Sequence, residues 1–490
     1  MKGILERIFY FAEQYPLAEA VVTPSEIISY SELVSRVESV KDELLSLKVK
    51  RLGIQLENCL DWIVLDLAAA RADVVVVPIP LFFSDEQVGH LIADSQLDTV
   101  FINPKSKRIL SDDIKLSSLY MKGLYLRLLT SPSNRTDPKV RKVTYTSGST
   151  GKPKGVCLGD DSLDAITRSL SDVLNIYKVK RHISLIPFST LLENIAGIYV
   201  SLSRGCSVVV DDVAEFGLSS NHQFDVDAFC RAVEKYRAEI VVLLPQMLKA
   251  IVEKADIERL TSLKFIAVGG GKVAPDLLLH CQKLKLPVFE GYGLSECASV
   301  VCINTPDEHR IGSVGKPLPH LKISIADNDE ILISGPVMQG YLHDQGTDNV
   351  SHNIIHTGDA GYLDKDGYLH ITGRIKNTII SSFGRNISPE WVESIFLGDK
   401  AIQQIAVFGE SEPFLSAVIY SDVSDTGQEL DMIIDRINRQ LPDYAQVLRW
   451  HLSKQPFSAS NGCLTENGKL NRQRIYQQFS NNLEQRERAV

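Results

Sequence analysis

A layered α/β fold is expected, with a large N-terminal domain of βα-layered subdomains, a small β-rich module and a compact, mobile α+β C-terminal domain. Three observations point there. The chain has 490 residues, beyond the roughly 250–300 at which a single hydrophobic core stops growing, so two or three domains are needed. Helical and strand signals alternate through its first three quarters. Near Ile323 the pattern turns to short strands and turns, and near Lys376 it turns back.

The first strong helical signal is Ser31–Leu47, with Leu33, Val34, Val37, Val40, Leu44 and Leu45 along one side. From Trp62 to Phe83 the chain is apolar but broken by Asp66, Arg71 and Asp73. It reads as a buried helix followed by a strand, Val74–Ile79, and not as a membrane span. A strand is expected at Val140–Tyr145, and short apolar runs follow at Val208–Val210, Ile240–Leu244 and Phe265–Val268. Each lies beside a helical segment or a glycine-containing turn, as parallel βα units require. Between Ile323 and Ile371 the spacing is that of short strands, with Asp366-Gly367 as a turn. The expected division is 1–375 and 376–490.

Composition excludes several classes. A net charge of −9 argues against a general nucleic-acid binder, and no polybasic anchor is present. The eight cysteines form no C-x-x-C pair, so neither a zinc knuckle nor a thioredoxin-like site is indicated. The first residues lack a signal-peptide pattern, and the expected compartment is the reducing cytoplasm.

The chemistry-bearing segment is Tyr145–Val156, Y-T-S-G-S-T-G-K-P-K-G-V, with three glycines, four Ser/Thr hydroxyls and two lysines in twelve positions. Glycines let backbone N–H groups approach an anion, hydroxyls add donors, and lysines neutralise charge. A plain surface turn has a similar composition, and the Walker spacing is absent. Four more motifs follow in order. They are F-E-G-Y-G-L-S-E at Phe289–Glu296, H-T-G-D at His356–Asp359, G-R-I-K-N at Gly373–Asn377 and N-G-K-L-N-R at Asn467–Arg472.

These five motifs, with S-Y-S-E-L at Ser29–Leu33 and V-V-V-P at Val75–Pro78, resemble the signatures of the ANL superfamily. That group comprises acyl-CoA synthetases, peptide-synthetase adenylation domains and luciferases. The resemblance spans nearly the whole chain. It implies an enzyme that activates a carboxylic acid with ATP and Mg2+ to an acyl-AMP, then passes the acyl group to coenzyme A or a carrier-protein pantetheine.

It also implies roles. Thr146, Ser147, Gly148, Ser149, Thr150, Gly151 and Lys154 would hold the phosphates. Gly270, Gly271, Glu290, Gly291, Tyr292, Gly293 and Ser295 would line the nucleotide site, with Tyr292 stacked on the adenine. Asp359 and Arg374 would take the ribose or a phosphate. Glu296 and Thr146 would serve the magnesium ion. Lys469 would stabilise charge as pyrophosphate leaves, and Lys376 would be the hinge about which the C-terminal domain turns. Outside its motif each is an ordinary residue: a lysine after a glycine is usually a solvated turn, and a Thr-Gly-Asp aspartate usually caps one.

The acid pocket is expected at Thr190, Leu191 and Gly269. L-I-P-F-S-T-L-L-E, Leu185–Glu193, is similar to long-chain acyl-CoA synthetases, except that Thr190 replaces their histidine. Leu191, Leu192, Ile195 and Ile198 suit either an apolar wall or a packed helix face. A fatty acid is therefore the expected substrate. Only fifteen residues separate Glu296 from Gly312, too few for the insertion of fatty acyl-AMP ligases, which favours a full thioester-forming cycle. Two rivals stand beside this reading. Gly269, Gly271 and Ala274, with Glu290 beyond, also satisfy a dinucleotide fingerprint, which would mean an NAD-dependent dehydrogenase. A catalytically silent acyl-binding relative is the other.

Overall fold

The structure, a computed structural model, describes the chain apart from residues 103–113, 116–124, 129–138, 147–152, 176–177, 219–223, 344–349, 352–353, 383–384, 422–426, 466–467 and 485–490. Among the described residues, two large sheets dominate. The first runs Lys316–Pro317, Ser299–Ile303, Val288–Leu294, Phe265–Val268, Ile240–Leu243, Arg181–Ile183, Ser207–Val209, Glu19–Val22 and Ile27–Ser29. Its centre is parallel, from Glu19–Val22 through to Val288–Leu294. The second runs Gly340–Tyr341, Lys154–Gly159, Val140–Thr146, Val75–Pro78, Arg51–Gln55, Thr99–Ile102, Tyr125–Leu128 and Ile114–Lys115.

Helices fill the space around these sheets. The helix Tyr30–Ser46 starts where the Ser29 hydroxyl accepts from the Glu32 N–H, and buries Leu33, Val37, Val40 and Leu44. An N-cap of this kind satisfies one of the orphan donors of the first turn. Leu60–Arg71 is buried from Leu60 to Ala70, apart from Asp61, as expected of a helix apolar on every side. Asp66 within that helix needs a partner, and finds one in Lys142.

The short-strand region is a separate antiparallel sheet, in which Lys322–Ile325, Glu330–Ser334, Ile354–Leu363 and Leu369–Arg374 pair in turn. Gly367, at φ +84°, makes the turn before the last strand. Beyond it, Ile402–Phe408, Leu415–Ser421 and Val447–Leu452 form a sheet with its own core, including Val392, Phe396, Ile405, Val418, Ile434 and Ile475. No helix of the described residues is long and apolar enough to cross a membrane.

Candidate active site

The strand Val140–Thr146 carries Thr146 to its end, where it pairs antiparallel with Lys154 of the returning strand. Ser147, Gly148, Ser149, Thr150 and Gly151 lie between, outside the described residues. The segment after the loop is therefore a second strand, and the next helix begins only at Asp160. No helix begins directly after the loop, so the expected phosphate site has no helix N-terminus following it.

A residue absent from the sequence motifs ties this hairpin to the next one. Tyr341 lies under the Lys154 ammonium, 5.4 Å from Nζ to the ring centre, and its hydroxyl donates to Glu296 Oε1 at 2.8 Å. It is delivered by the strand Gly340–Tyr341, which pairs with the edge of Lys154–Gly159. The Met338 N–H also donates to the Glu296 carbonyl, at 2.7 Å. Glu296 follows Ser295 in a single helical turn, both half-buried. Among the described residues no group of three or more His, Cys, Asp or Glu side chains could hold a metal. A lone Glu296 suits a cation whose remaining ligands are phosphate oxygens and water.

Asp359 is the hub of the second cluster. It is 4% exposed, accepts from the Tyr292 hydroxyl at 2.6 Å and sits 2.6 Å from Arg374 Nε across a strand pair. Burial pushes its pKa up, against the pull of Arg374, Tyr292 and Lys469. Tyr292 is pushed well up by burial and by the Asp359 charge, so it remains a donor. Its hydroxyl is committed to Asp359; the expectation for its ring was stacking on adenine.

Lys469 reaches the same place from the C-terminal part. A turn closed by the Thr465 N–H donating to the Lys469 carbonyl at 2.7 Å presents it, with Gly468 at φ +73°, a value that glycine meets without strain. Its side chain is open to solvent yet set in a crowded cleft. Crowding and the Arg374 charge lower its pKa, and Asp359 and Glu296 oppose that. Thr146, Lys154, Glu296 and Tyr341 form one cluster, and Tyr292, Asp359, Arg374 and Lys469 another, linked by the field between Glu296 and Lys469. Lys376 lies in the helical turn Ile375–Asn377 that follows Arg374.

Gly269–Gly271 ends the strand Phe265–Val268 and passes close to Leu244 and Pro245. Gly270 has φ +81°. A Cβ on Gly293 would fall 1.7 Å from the Ser299 carbonyl oxygen, so only glycine fits there. Gly291 is half-buried, and a Cβ on it would come within 3.1 Å of the Cys302 carbonyl oxygen. Glu290 is 4% exposed and accepts from the Val273 N–H at 3.3 Å. Burial pushes its pKa up to about 8, so at neutral pH it is largely a protonated acid.

Thr190 is half-buried and its carbonyl accepts from the Asn194 N–H at 3.1 Å. Leu191 is buried, and Ile195 and Ile198 are fully buried in the main core. Ile195 and Ile198 belong to the packed helix face and not to an open apolar wall of the kind the fatty-acid expectation leaned on. The segment Glu193–Tyr199 is a π-helix, a rare form often found near functional sites.

Comparison with known proteins adds the decisive observation. A family model described as AMP-binding enzyme matches residues 8–342, and its companion, AMP-binding enzyme C-terminal domain, matches residues 376–488. The chain belongs to the AMP-binding enzyme family. A 2-succinylbenzoate–CoA ligase of Enterococcus faecalis is 29% identical over 381 residues, covering 73% of this chain and 75% of the relative. The o-succinylbenzoate CoA synthetase of Bacillus subtilis in complex with its acyl-adenylate has a TM-score of 0.76 at 22% identity, covering 96% of this chain and 97% of that one. ATP-bound MatB of Rhodopseudomonas palustris scores 0.80 at 20% identity over 98% and 99%. The dehydrogenase reading falls with the family match: the βαβ unit around Gly269 is present, but it belongs to this fold. No fatty acid and no carrier protein stands in these relatives' names.

Proposed function

We propose that this AMP-binding enzyme couples ATP cleavage to acyl-CoA formation in two displacements, and that 2-succinylbenzoate, an aromatic acid with a second carboxylate, is the first acid to test. The reading is supported above all by the convergence of Lys469, Asp359, Arg374 and Glu296, brought together from segments more than 170 residues apart in sequence. The choice of acid draws on the relatives' names and on the loss of the apolar wall at Ile195 and Ile198.

In the first displacement a carboxylate oxygen attacks the α-phosphorus, the bond to the bridging oxygen breaks, and pyrophosphate leaves. Lys469 offsets the charge that develops there. Asp359, already oriented by Tyr292 and Arg374, accepts from the ribose hydroxyls. Lys154 and the loop 147–152 hold the outer phosphates. Glu296 and Thr146 are the protein oxygens for Mg2+, which when bound neutralises phosphate charge. In the second displacement the thiol sulfur attacks the acyl carbon, the carbon–oxygen bond to AMP breaks, and the thiol proton goes to solvent. Lys376 is the hinge that takes Lys469 away between the two.

Pyrophosphate release with 2-succinylbenzoate, benzoate, malonate, octanoate and palmitate tests the reading. The expected result is highest kcat/KM for 2-succinylbenzoate. A preference that climbs with alkyl chain length, by about 0.8 kcal/mol per methylene, would overturn the choice of acid.

A further inference from the structure

The turn between residues 397 and 402 is seated against the N-terminal part of the molecule at two points. Lys249, on the helix Pro245–Lys254, donates from Nζ to the Ile402 carbonyl at 2.7 Å and reaches the Leu397 carbonyl at 3.4 Å. On the neighbouring helix Pro275–Lys283, Asp276 packs so close that a Cβ on Gly398 would lie 3.5 Å from its Oδ2. An ammonium at the carbonyl end of the helix Pro389–Leu397 is favoured by the helix dipole as well as by its hydrogen bonds.

That helix leads stiffly to the active site. Glu393, buried within it, holds Arg472 at 2.6 Å, and Glu390 holds the same guanidinium at 3.3 Å. Arg472 stands three residues after Lys469. Hence one continuous set of contacts runs from Lys249 through the helix Pro389–Leu397 to Arg472 and the turn that presents Lys469.

We propose that Lys249 is a positioning residue: it latches the C-terminal domain in the arrangement that inserts Lys469, and it must let go before the thiol step. This rests on the two-displacement reading above. Lys249 touches no reacting atom. Its removal slows acyl-AMP formation and leaves thioester formation from supplied acyl-AMP intact, because the second step takes place after release.

The test uses Lys249→Met, which keeps the stem, and Lys249→Arg, which keeps the donors. Both half-reactions are measured separately in the full chain. Lys249→Met is expected to slow pyrophosphate release about tenfold, the factor that 1.4 kcal/mol represents, with the conversion of supplied acyl-AMP unchanged. Lys249→Arg should recover most of the loss. Equal loss in both half-reactions, or no loss in either, would overturn the latch. A second readout needs no activity: fluorescence energy transfer between labels on the two domains should show Lys249→Met less populated in the closed arrangement with ATP present. If wild type activates no acid at all, the functional reading fails, while an unchanged transfer efficiency in Lys249→Met sinks the latch alone.

Discussion

Replacing Glu290 with Gln should make the protein more stable at alkaline pH, and the size of the gain follows from the burial of this carboxyl. Its folded pKa is pushed up from 4.5 to about 8, first by burial, with the Val273 N–H and Lys272 opposing. Between those values the folded protein keeps a proton that the unfolded chain releases. Stability contributed by this group is therefore present below about pH 4.5 and is lost as pH rises through the folded value near 8. The slope reaches about 1.4 kcal/mol per pH unit between the two values and falls off near each, which amounts to about 3 kcal/mol between pH 5 and 7.5. Glutamine carries no proton to lose, and its Oε1 still accepts from Val273. Urea unfolding at a series of pH values should show the difference, Glu290→Gln minus wild type, growing from about pH 4.5 to about 8 and levelling off above. Parallel curves would refute the reasoning, since they would mean that Glu290 titrates alike in the folded and unfolded chains.

Three further outcomes are expected. Lys469→Ala should lose acyl-AMP formation by at least about a hundredfold, the scale of a missing transition-state donor, yet convert supplied acyl-AMP; Lys376→Pro, with φ fixed, should do the opposite, and separate half-reaction assays distinguish them. Lys142→Met should destabilise the fold by about 3–5 kcal/mol in urea, because it strands the buried Asp66 carboxylate, whereas the neutral pair Asp66→Asn with Lys142→Met should recover most of that. Gly293→Ala should abolish nucleotide binding by calorimetry, since the 1.7 Å approach to the Ser299 carbonyl forces apart the paired strands Val288–Leu294 and Ser299–Ile303.

Much of this was legible in the sequence where a local rule acts alone. The helix expected over Ser31–Leu47 spans Tyr30–Ser46, because a capped start and a single apolar stripe need no outside partner to be read. The strand expected at Val74–Ile79 spans Val75–Pro78, and Phe265–Val268 is matched residue for residue. Asp359 and Arg374 were singled out by the H-T-G-D and G-R-I-K-N motifs; Asp359 was expected in a turn, but the structure places both in paired strands and brings them into direct contact. What stayed hidden depends on distant partners. Tyr341 sits in a two-residue strand with no periodicity to betray it, and its importance comes only from meeting Lys154 and Glu296. Lys142 and Asp66 look like interruptions in apolar runs; their Nζ to Oδ1 contact of 2.8 Å, with Asn194 and Tyr199 completing the set, exists only once a helix, a strand and the π-helix have assembled. The helix-face spacing of Ile195 and Ile198 fitted a pocket wall and a packed core equally, and burial decided for the core.

The small strand Gly340–Tyr341 also sets a timetable for synthesis. It completes the edge of Lys154–Gly159 from roughly 180 residues downstream. At bacterial and eukaryotic elongation rates that is a delay of about 10 to 40 s, during which the hairpin around the phosphate loop has been made but one of its edges has no partner. An open edge is a template for pairing with another chain. The nascent protein thus carries its nucleotide hairpin as an exposed, adhesive border until two thirds of the chain has left the ribosome, and a ribosome-associated chaperone that covers this border should raise the yield of folded enzyme more than one that acts after release.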